Sequence, residues 1–133
     1  ITEGLVGSEM CIRDRLLVVN ILLKNMWGRA RPNDVSYFNG FQDFTPWYKI
    51  SDACSSNCSF VSGDSSVGFL LIIFYFITKK NSYLYLGLIF GSLLGFIRIA
   101  AGGHFFSDII FSQIVVTVTI LVSFVLYKKF YDK

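Results

Sequence analysis

The stretch Ile109–Tyr127, IIFSQIVVTVTILVSFVLY, runs for nineteen residues without a charge and then meets Lys128-Lys129. A helix needs about 20 mainly apolar residues, and no fewer than about 17, to cross a bilayer. This stretch meets the requirement, so the fold is read outward from it. A second uncharged run covers Asn81–Ile97, and a third covers Ser65–Thr78, long enough to span once its polar start near Ser62 is included. A shorter one, Leu16–Leu23, reads as the distal part of another helix. The whole chain of 133 residues is 53% apolar, 17% aromatic and only 16% charged, against about 25% charged in soluble domains. With 14 Phe and 2 Pro it is neither disordered, collagen-like nor of low complexity. Its net charge of +3 gives no nucleic-acid footprint. The expected fold class is all-α, an integral-membrane helical bundle. The rival, a soluble bundle with buried apolar helices, is disfavoured by the length of the charge-free runs.

The basic residues orient the bundle. Lys79-Lys80 sits between two spans, and Lys128, Lys129 and Lys133 follow the last one. The Lys and Arg excess marks the cytoplasmic side, and Arg13 and Arg15 ahead of Leu16 fit that side. The segment Asn25–Phe60 and the turn Arg98–His104 then share the outer face. Residues 1–15 form a polar start whose part VGSEMCIRDR resembles a translated sequencing adaptor. The expectation is a non-native or truncated leader over 1–15, set aside together with Cys11, and a membrane domain over 16–133 that is incomplete at its N-terminus.

Three groups of polar residues fall on that outer face, and polar or charged groups at membrane depth are usually functional. In the first, Lys24 and Arg31 are seven residues apart and project from one side if the helix continues to Pro32. Arg29 points elsewhere and reads as a solvated or headgroup-contacting charge. In the second, Ser62-Gly63-Asp64 opens a span. Its free amides and the helix dipole suit an anion, although Ser62 or Asp64 also serves as an ordinary N-cap. In the third, Arg98 precedes the Gly102-Gly103 turn, His104 opens the last span, and Asp108 lies one turn on along the same face. A carboxylate there can hold one imidazole nitrogen and leave the other free as a nucleophile or base. Three cations, a histidine and a helix start meet the needs of phosphoryl transfer, which are positioning and electrostatic stabilisation. Cys54 and Cys58 lie in a polar outer loop, where a local disulfide and free thiols are the two readings. Trp27, Trp47, Tyr37 and Tyr48 suit the headgroup zone.

These residues resemble the type 2 phosphatidic acid phosphatase superfamily of membrane lipid phosphatases, whose signature is K-x6-R-P, then P-S-G-H, then S-R-x5-H-x3-D. Lys24 to Pro32 matches the first motif fully. Arg98, His104 and Asp108 match the third, with Ile97 where Ser is usual. The second keeps Ser62-Gly63, with Val61 for Pro and Asp64 for His. The resemblance covers Leu16–Tyr127. It implies a six-helix core of which this chain holds the last three helices and the end of the one before. It also implies that His104 attacks phosphorus and carries a phosphohistidine, that Asp108 orients it, and that Lys24, Arg31, Arg98, Ser62 and the Gly63 amide hold the phosphate. Neither cofactor nor metal is implied, since the cations supply the charge a metal ion otherwise would.

Asp64 is the departure. The family's histidine at that place protonates the leaving alcohol. A carboxylic acid ordinarily titrates near 3.9 and donates a proton at neutral pH only if its surroundings raise that value. Three outcomes are open: Asp64 as the acid, a substrate whose leaving group needs little protonation, or a relative that binds lipid phosphates without turnover. The Cys-x3-Cys loop ahead of Ser-Gly resembles the branch acting on lipid A phosphates. The function expected is a lipid phosphate or diphosphate phosphatase in a bacterial inner membrane with an extracytoplasmic site. Its partners are the lipid substrate and membrane lipids. The rivals are a catalytically silent lipid-phosphate-binding protein and a transporter or proton-relay fragment built on His104 and Asp108.

Overall fold

The computed structural model describes Glu9, residues 12–14, Val19 and residues 22–131. Most of the expected leader, Cys11 included, and most of Leu16–Leu23 lie outside the described residues. Of residues 12–14, Asp14 accepts a hydrogen bond from Ser123 Oγ at 2.8 Å. The architecture is all-α. The helices are α1 (Lys24–Trp27), α2 (Gly63–Phe69), α3 (Ile73–Thr78), α4 (Asn81–Ala100) and α5 (Phe106–Tyr131). Among the described residues the one sheet-like feature is a parallel bridge between Val35 and Gln42.

α4 and α5, with 20 and 26 residues, extend about 30 and 39 Å at 1.5 Å per residue. Both are long and apolar enough to cross a membrane. The third run forms a shorter unit than the spacing implies. α2 and α3 join through a 3-10 turn, Leu70–Ile72, into one helical stretch Gly63–Thr78. Ser62 caps its start, and Lys79 ends it in the left-handed conformation at φ 58°. Its 3-10 turn rises faster per residue than an α-helix, so the stretch still reaches about 25 Å.

The long helices show large apolar side chains outward. Leu86, Ile89 and Leu93 of α4, and Ile114, Val118 and Val125 of α5, are exposed. A soluble bundle would turn those faces inward, whereas lipid accepts them. What α4 buries instead is glycine: Gly87, Gly91 and Gly95, one turn apart on one face. Without side chains the backbones come close, the usual packing mode between helices in lipid. A Cβ on Gly91 would lie 2.3 Å from the Phe69 ring, and one on Gly68 would lie 2.5 Å from the Gly91 Cα. Ser65 Oγ crosses the same contact to donate to the Gly91 carbonyl at 2.7 Å. Behind it Phe69, Ile72, Val116 and Ile120 form the buried core. The Lys79-Lys80 turn and the C-terminal end of α5 share one end of the bundle, with the Lys79 ammonium 5.2 Å from the Phe124 ring centroid. Residues 28–62 and the α4–α5 turn occupy the opposite end.

Candidate active site

The frame of this end is a strap laid over the end of α1. α1 stops at Gly28, whose φ is 59°, and a Cβ there would sit 1.7 Å from the Ser51 carbonyl oxygen. The helix therefore ends at Trp27, five residues ahead of Pro32, and the helical spacing of Lys24 and Arg31 is not what pairs them. Past the stop, residues 51–59 run alongside residues 27–29. Ser51 N–H donates to Trp27 O at 3.0 Å, Cys54 N–H to Gly28 O at 3.1 Å and Ser59 N–H to Arg29 O at 2.9 Å. Beneath, Trp27 stacks on Phe60 at 4.7 Å between centroids, and its Nε1 donates to Trp47 O at 2.7 Å. Both tryptophans thus hold the strap down, while Tyr37 and Tyr48 are exposed. Cys54 and Cys58 are joined in a disulfide with Cα atoms 5.6 Å apart.

Asn57, inside that disulfide ring, meets both cations of the first motif. Lys24 Nζ donates to Asn57 Oδ1 at 3.1 Å, and an Arg31 Nη to the Asn57 carbonyl at 3.0 Å. Arg98 comes from the end of α4. Its Nε lies 2.8 Å from an Asp64 carboxylate oxygen, with the side chains 39% and 57% exposed. That pair is in contact but poorly aligned, so the Arg98 Nε–H has no hydrogen bond. Arg98 also passes 3.8 Å from where a Gly103 Cβ would be, beside His104. Lys24 stands at the outer end of the apolar run. Burial first, then the Arg31 guanidinium, hold its ammonium below the ordinary value of 10.5, with Asp64 opposing and Arg98 adding to the shift. Lys24, Arg31, Arg98 and Asp64 therefore share one electrostatic neighbourhood.

His104 is 1% exposed, and its Nδ1 lies 2.7 Å from the Ser59 carbonyl. A carbonyl only accepts, so Nδ1 carries the proton and the Nε2 lone pair is free. This corrects the expected role of Asp108 as the direct hydrogen-bond partner of His104. The Asp108 carboxylate is 3.8 Å from Nδ1, beyond hydrogen-bond reach. Its oxygens accept instead from Arg29, from Ser59 Oγ and from the Phe105 N–H at 2.8 Å. The last bond reaches back across the first turn of α5, half of a capping box. Asp108 thus acts on His104 through Ser59, whose hydroxyl it fixes and whose carbonyl fixes the imidazole.

Arg29 is the largest departure from the sequence reading. It is 2% exposed, not solvated. The left-handed turn at Gly28 redirects the chain so that Arg29 enters the interior. There its Nη1 pairs with Asp108 and donates to Ser107 Oγ at 2.8 Å, and its Nε donates to Thr45 O at 2.9 Å. The Phe105 ring stacks 4.2 Å from the guanidinium. Burial lowers its pKa below the ordinary arginine value, and Asp108 opposes that.

At the second motif Ser62 is the N-cap of α2. Its Oγ accepts from Ser65 N–H at 3.4 Å as an N-cap, and its own N–H donates to the Asp108 carbonyl at 3.3 Å. Ser112 Oγ donates to the Ser62 carbonyl at 2.8 Å, locking this helix start onto α5. A hydroxyl that accepts can still donate, and first-turn amides such as Gly63 have no intrahelical acceptor. Beside His104 a cavity of about 430 Å³ opens between Pro32, Phe38, Ile99, Phe105 and Phe106. Arg29, Asn57 and Ser59 were missed in the sequence. The only hints were the doubled arginine of Arg29-Ala-Arg31 and an asparagine within Cys-x3-Cys. Among the described residues no cluster of His, Cys, Asp and Glu is placed to hold a metal ion.

Lipid A 4'-phosphatase of Francisella tularensis subsp. novicida is 43% identical over 121 residues, covering 88% of this chain and 53% of that protein. Lipid A 4'-phosphatase of Rhizobium etli is 34% identical over 107 residues, 78% of this chain and 42% of that protein. The Rhizobium leguminosarum protein of the same name is 35% identical over 98 residues, 71% and 42% of the two chains. The chain spans about half the length of the curated relatives it matches. No solved structure gives a significant match. The family model of the PAP2 superfamily matches residues 9–132, essentially the whole chain. This integral-membrane helical protein therefore belongs to the PAP2 superfamily.

Proposed function

We propose that the chain carries the reaction centre of a membrane-embedded phosphatase that removes phosphate from a lipid phosphate or diphosphate through a phosphohistidine. The lipid A 4'-phosphate is the first substrate to test, from the names of the relatives. The observation that carries the reading is the pinned imidazole. Nδ1 is committed to the Ser59 carbonyl, so Nε2 is the nucleophile. Lys24, Arg31 and Arg98 would take the non-bridging oxygens, assisted by the Ser62 hydroxyl and the Gly63 amide. At about 4 Å and an effective dielectric near 20 each cation contributes about 4 kcal/mol per unit charge before desolvation. This electrostatic work needs no metal ion.

In the first step the Nε2–P bond forms as the P–O bond to the lipid breaks, and the electron pair leaves on the lipid oxygen. Water then attacks phosphorus, releases inorganic phosphate and restores the imidazole. Asp64 stands where the family keeps the acid for the leaving oxygen. Asp64, whose carboxyl group faces Arg98, would give its proton to the leaving oxygen only from its protonated form, and would be left as the carboxylate. The cavity beside His104, walled by Phe38, Ile99 and Phe106, suits the apolar part of the substrate. The active site faces the extracytoplasmic side of a bacterial inner membrane, a placement supported by the lysines gathered at the other end.

Phosphate release from detergent-solubilised protein over lipid A, phosphatidate and prenyl diphosphate tests this. His104→Ala should abolish release on every substrate, and unchanged release would refute it. Asp64→Asn should slow alkyl phosphates more than diphosphates, and equal turnover on both would remove Asp64 from the acid role. The Asp64–Arg98 ion pair also favours one second reading, a lipid-phosphate-binding protein without turnover. That reading predicts saturable binding with no release by the unsubstituted chain.

A further inference from the structure

The first-motif cations do not share one helix, because α1 ends at Trp27, ahead of Arg31. What spans Lys24 and Arg31 is a residue from elsewhere in the chain. Asn57 offers its side-chain oxygen to Lys24 and its main-chain oxygen to Arg31, at 3.1 and 3.0 Å. It does so from the left-handed conformation, φ 50°, which asparagine adopts more readily than most residues. The Cys54–Cys58 disulfide closes the turn around it. Cys54 N–H is tied to Gly28 O, and the Ser59 N–H that follows the ring to Arg29 O, at 3.1 and 2.9 Å. Two like charges would otherwise spread apart. A neutral acceptor between them holds both without neutralising either.

We propose that Asn57, held in its disulfide-closed turn, is a positioning residue that sets the Lys24–Arg31 pair to receive the substrate phosphate. This rests on the phosphatase reading only for the identity of the ligand. Asn57 does not touch the reacting atoms. It acts through Lys24 and Arg31, so its loss should weaken phosphate binding while His104, pinned by Ser59, keeps its chemistry. The same turn makes the site depend on the disulfide, because opening the ring frees Asn57 from both cations.

Asn57→Gly and Asn57→Asp test the proposal in the detergent-solubilised chain. Glycine keeps the left-handed backbone and the carbonyl for Arg31 but removes the acceptor for Lys24. KM and the inhibition constant of inorganic phosphate should rise about tenfold, equivalent to about 1.4 kcal/mol, with kcat within twofold and Tm unchanged. Asn57→Asp keeps the shape but sets a carboxylate against both cations, so inorganic phosphate should bind more weakly still. Cys54→Ser/Cys58→Ser should raise KM in the same direction, and adding Asn57→Gly should raise it little further, as for residues in one network. Phosphate binding is also read as the Tm shift caused by inorganic phosphate, which needs no turnover. A chain that releases no phosphate but shows a Tm shift reduced by Asn57→Gly would refute the phosphatase reading and keep this one. Unchanged KM and Tm shift in Asn57→Gly, or kcat and Tm falling together with KM constant, would overturn the proposal. A chain showing neither release nor any Tm shift with phosphate would overturn both.

Discussion

Replacing Arg29 by methionine isolates the buried pair on which the His104 setting depends. The guanidinium and the Asp108 carboxylate are 3% and 0% exposed at their side chains, so neither is compensated by water. Removing one partner of such a pair costs about 3–5 kcal/mol, because the remaining charge stays buried. Arg29→Met also leaves the Thr45 carbonyl and the Ser107 hydroxyl without their donor, which places the expected loss toward the upper end. That is a large share of the roughly 5–15 kcal/mol that keeps a domain folded. Adding Asp108→Asn should recover about 1–2 kcal/mol, since the amide oxygen still accepts from Phe105 N–H but no charge is stranded. The assay is equilibrium unfolding of both single variants and the double variant in one detergent, followed by helical circular dichroism. If Arg29→Met costs less than about 1 kcal/mol, the pair is not buried as described. If the double variant loses the sum of the single losses within about 0.5 kcal/mol, the two residues are not coupled.

Gly91→Val would drive a side chain into the Phe69 ring. It should destabilise the bundle by about 1–3 kcal/mol or more, seen as a lowered Tm, while the neighbouring lipid-facing Phe90→Leu leaves Tm nearly unchanged. Because the folded-state pKa of Lys24 is lowered, its proton leaves below the ordinary lysine value, and inorganic phosphate should bind more weakly as pH rises through that point. The unfolded chain holds this proton more tightly, so the same titration should raise folding stability with pH up to the ordinary value. Lys24→Arg should remove the alkaline loss of phosphate binding, because a guanidinium keeps its charge there, and a persisting loss would assign it to another group.

The separate signals differ in how far along the chain they reach. Apolar length, lysine placement and the residues of the K-x6-R-P and R-x5-H-x3-D motifs are local, so the helical membrane fold and the family motifs were readable from neighbours alone, whereas the burial of Arg29 was not. The glycine face of α4 was equally local, three glycines four apart, but its meaning depends on which helix approaches it. That approach, by α2 at Gly68 and Phe69, appears only when the helices pack.

Bonds across long intervals were beyond that kind of reading. Lys24 meets Asn57 over 33 residues, Ser59 meets Asp108 over 49, and Arg29 meets Asp108 over 79. The left-handed turn at Gly28 sends Arg29 inward and stops α1 before Arg31, which no periodicity announces. From the string of residues came a greasy helical bundle with three cations, a histidine and two aspartates at one end, because hydrophobicity and charge belong to each residue separately. Which acceptor holds the imidazole, which cation is buried and what sets the lysine beside the arginine were decided by packing, because a hydrogen bond belongs to two groups and needs both in place.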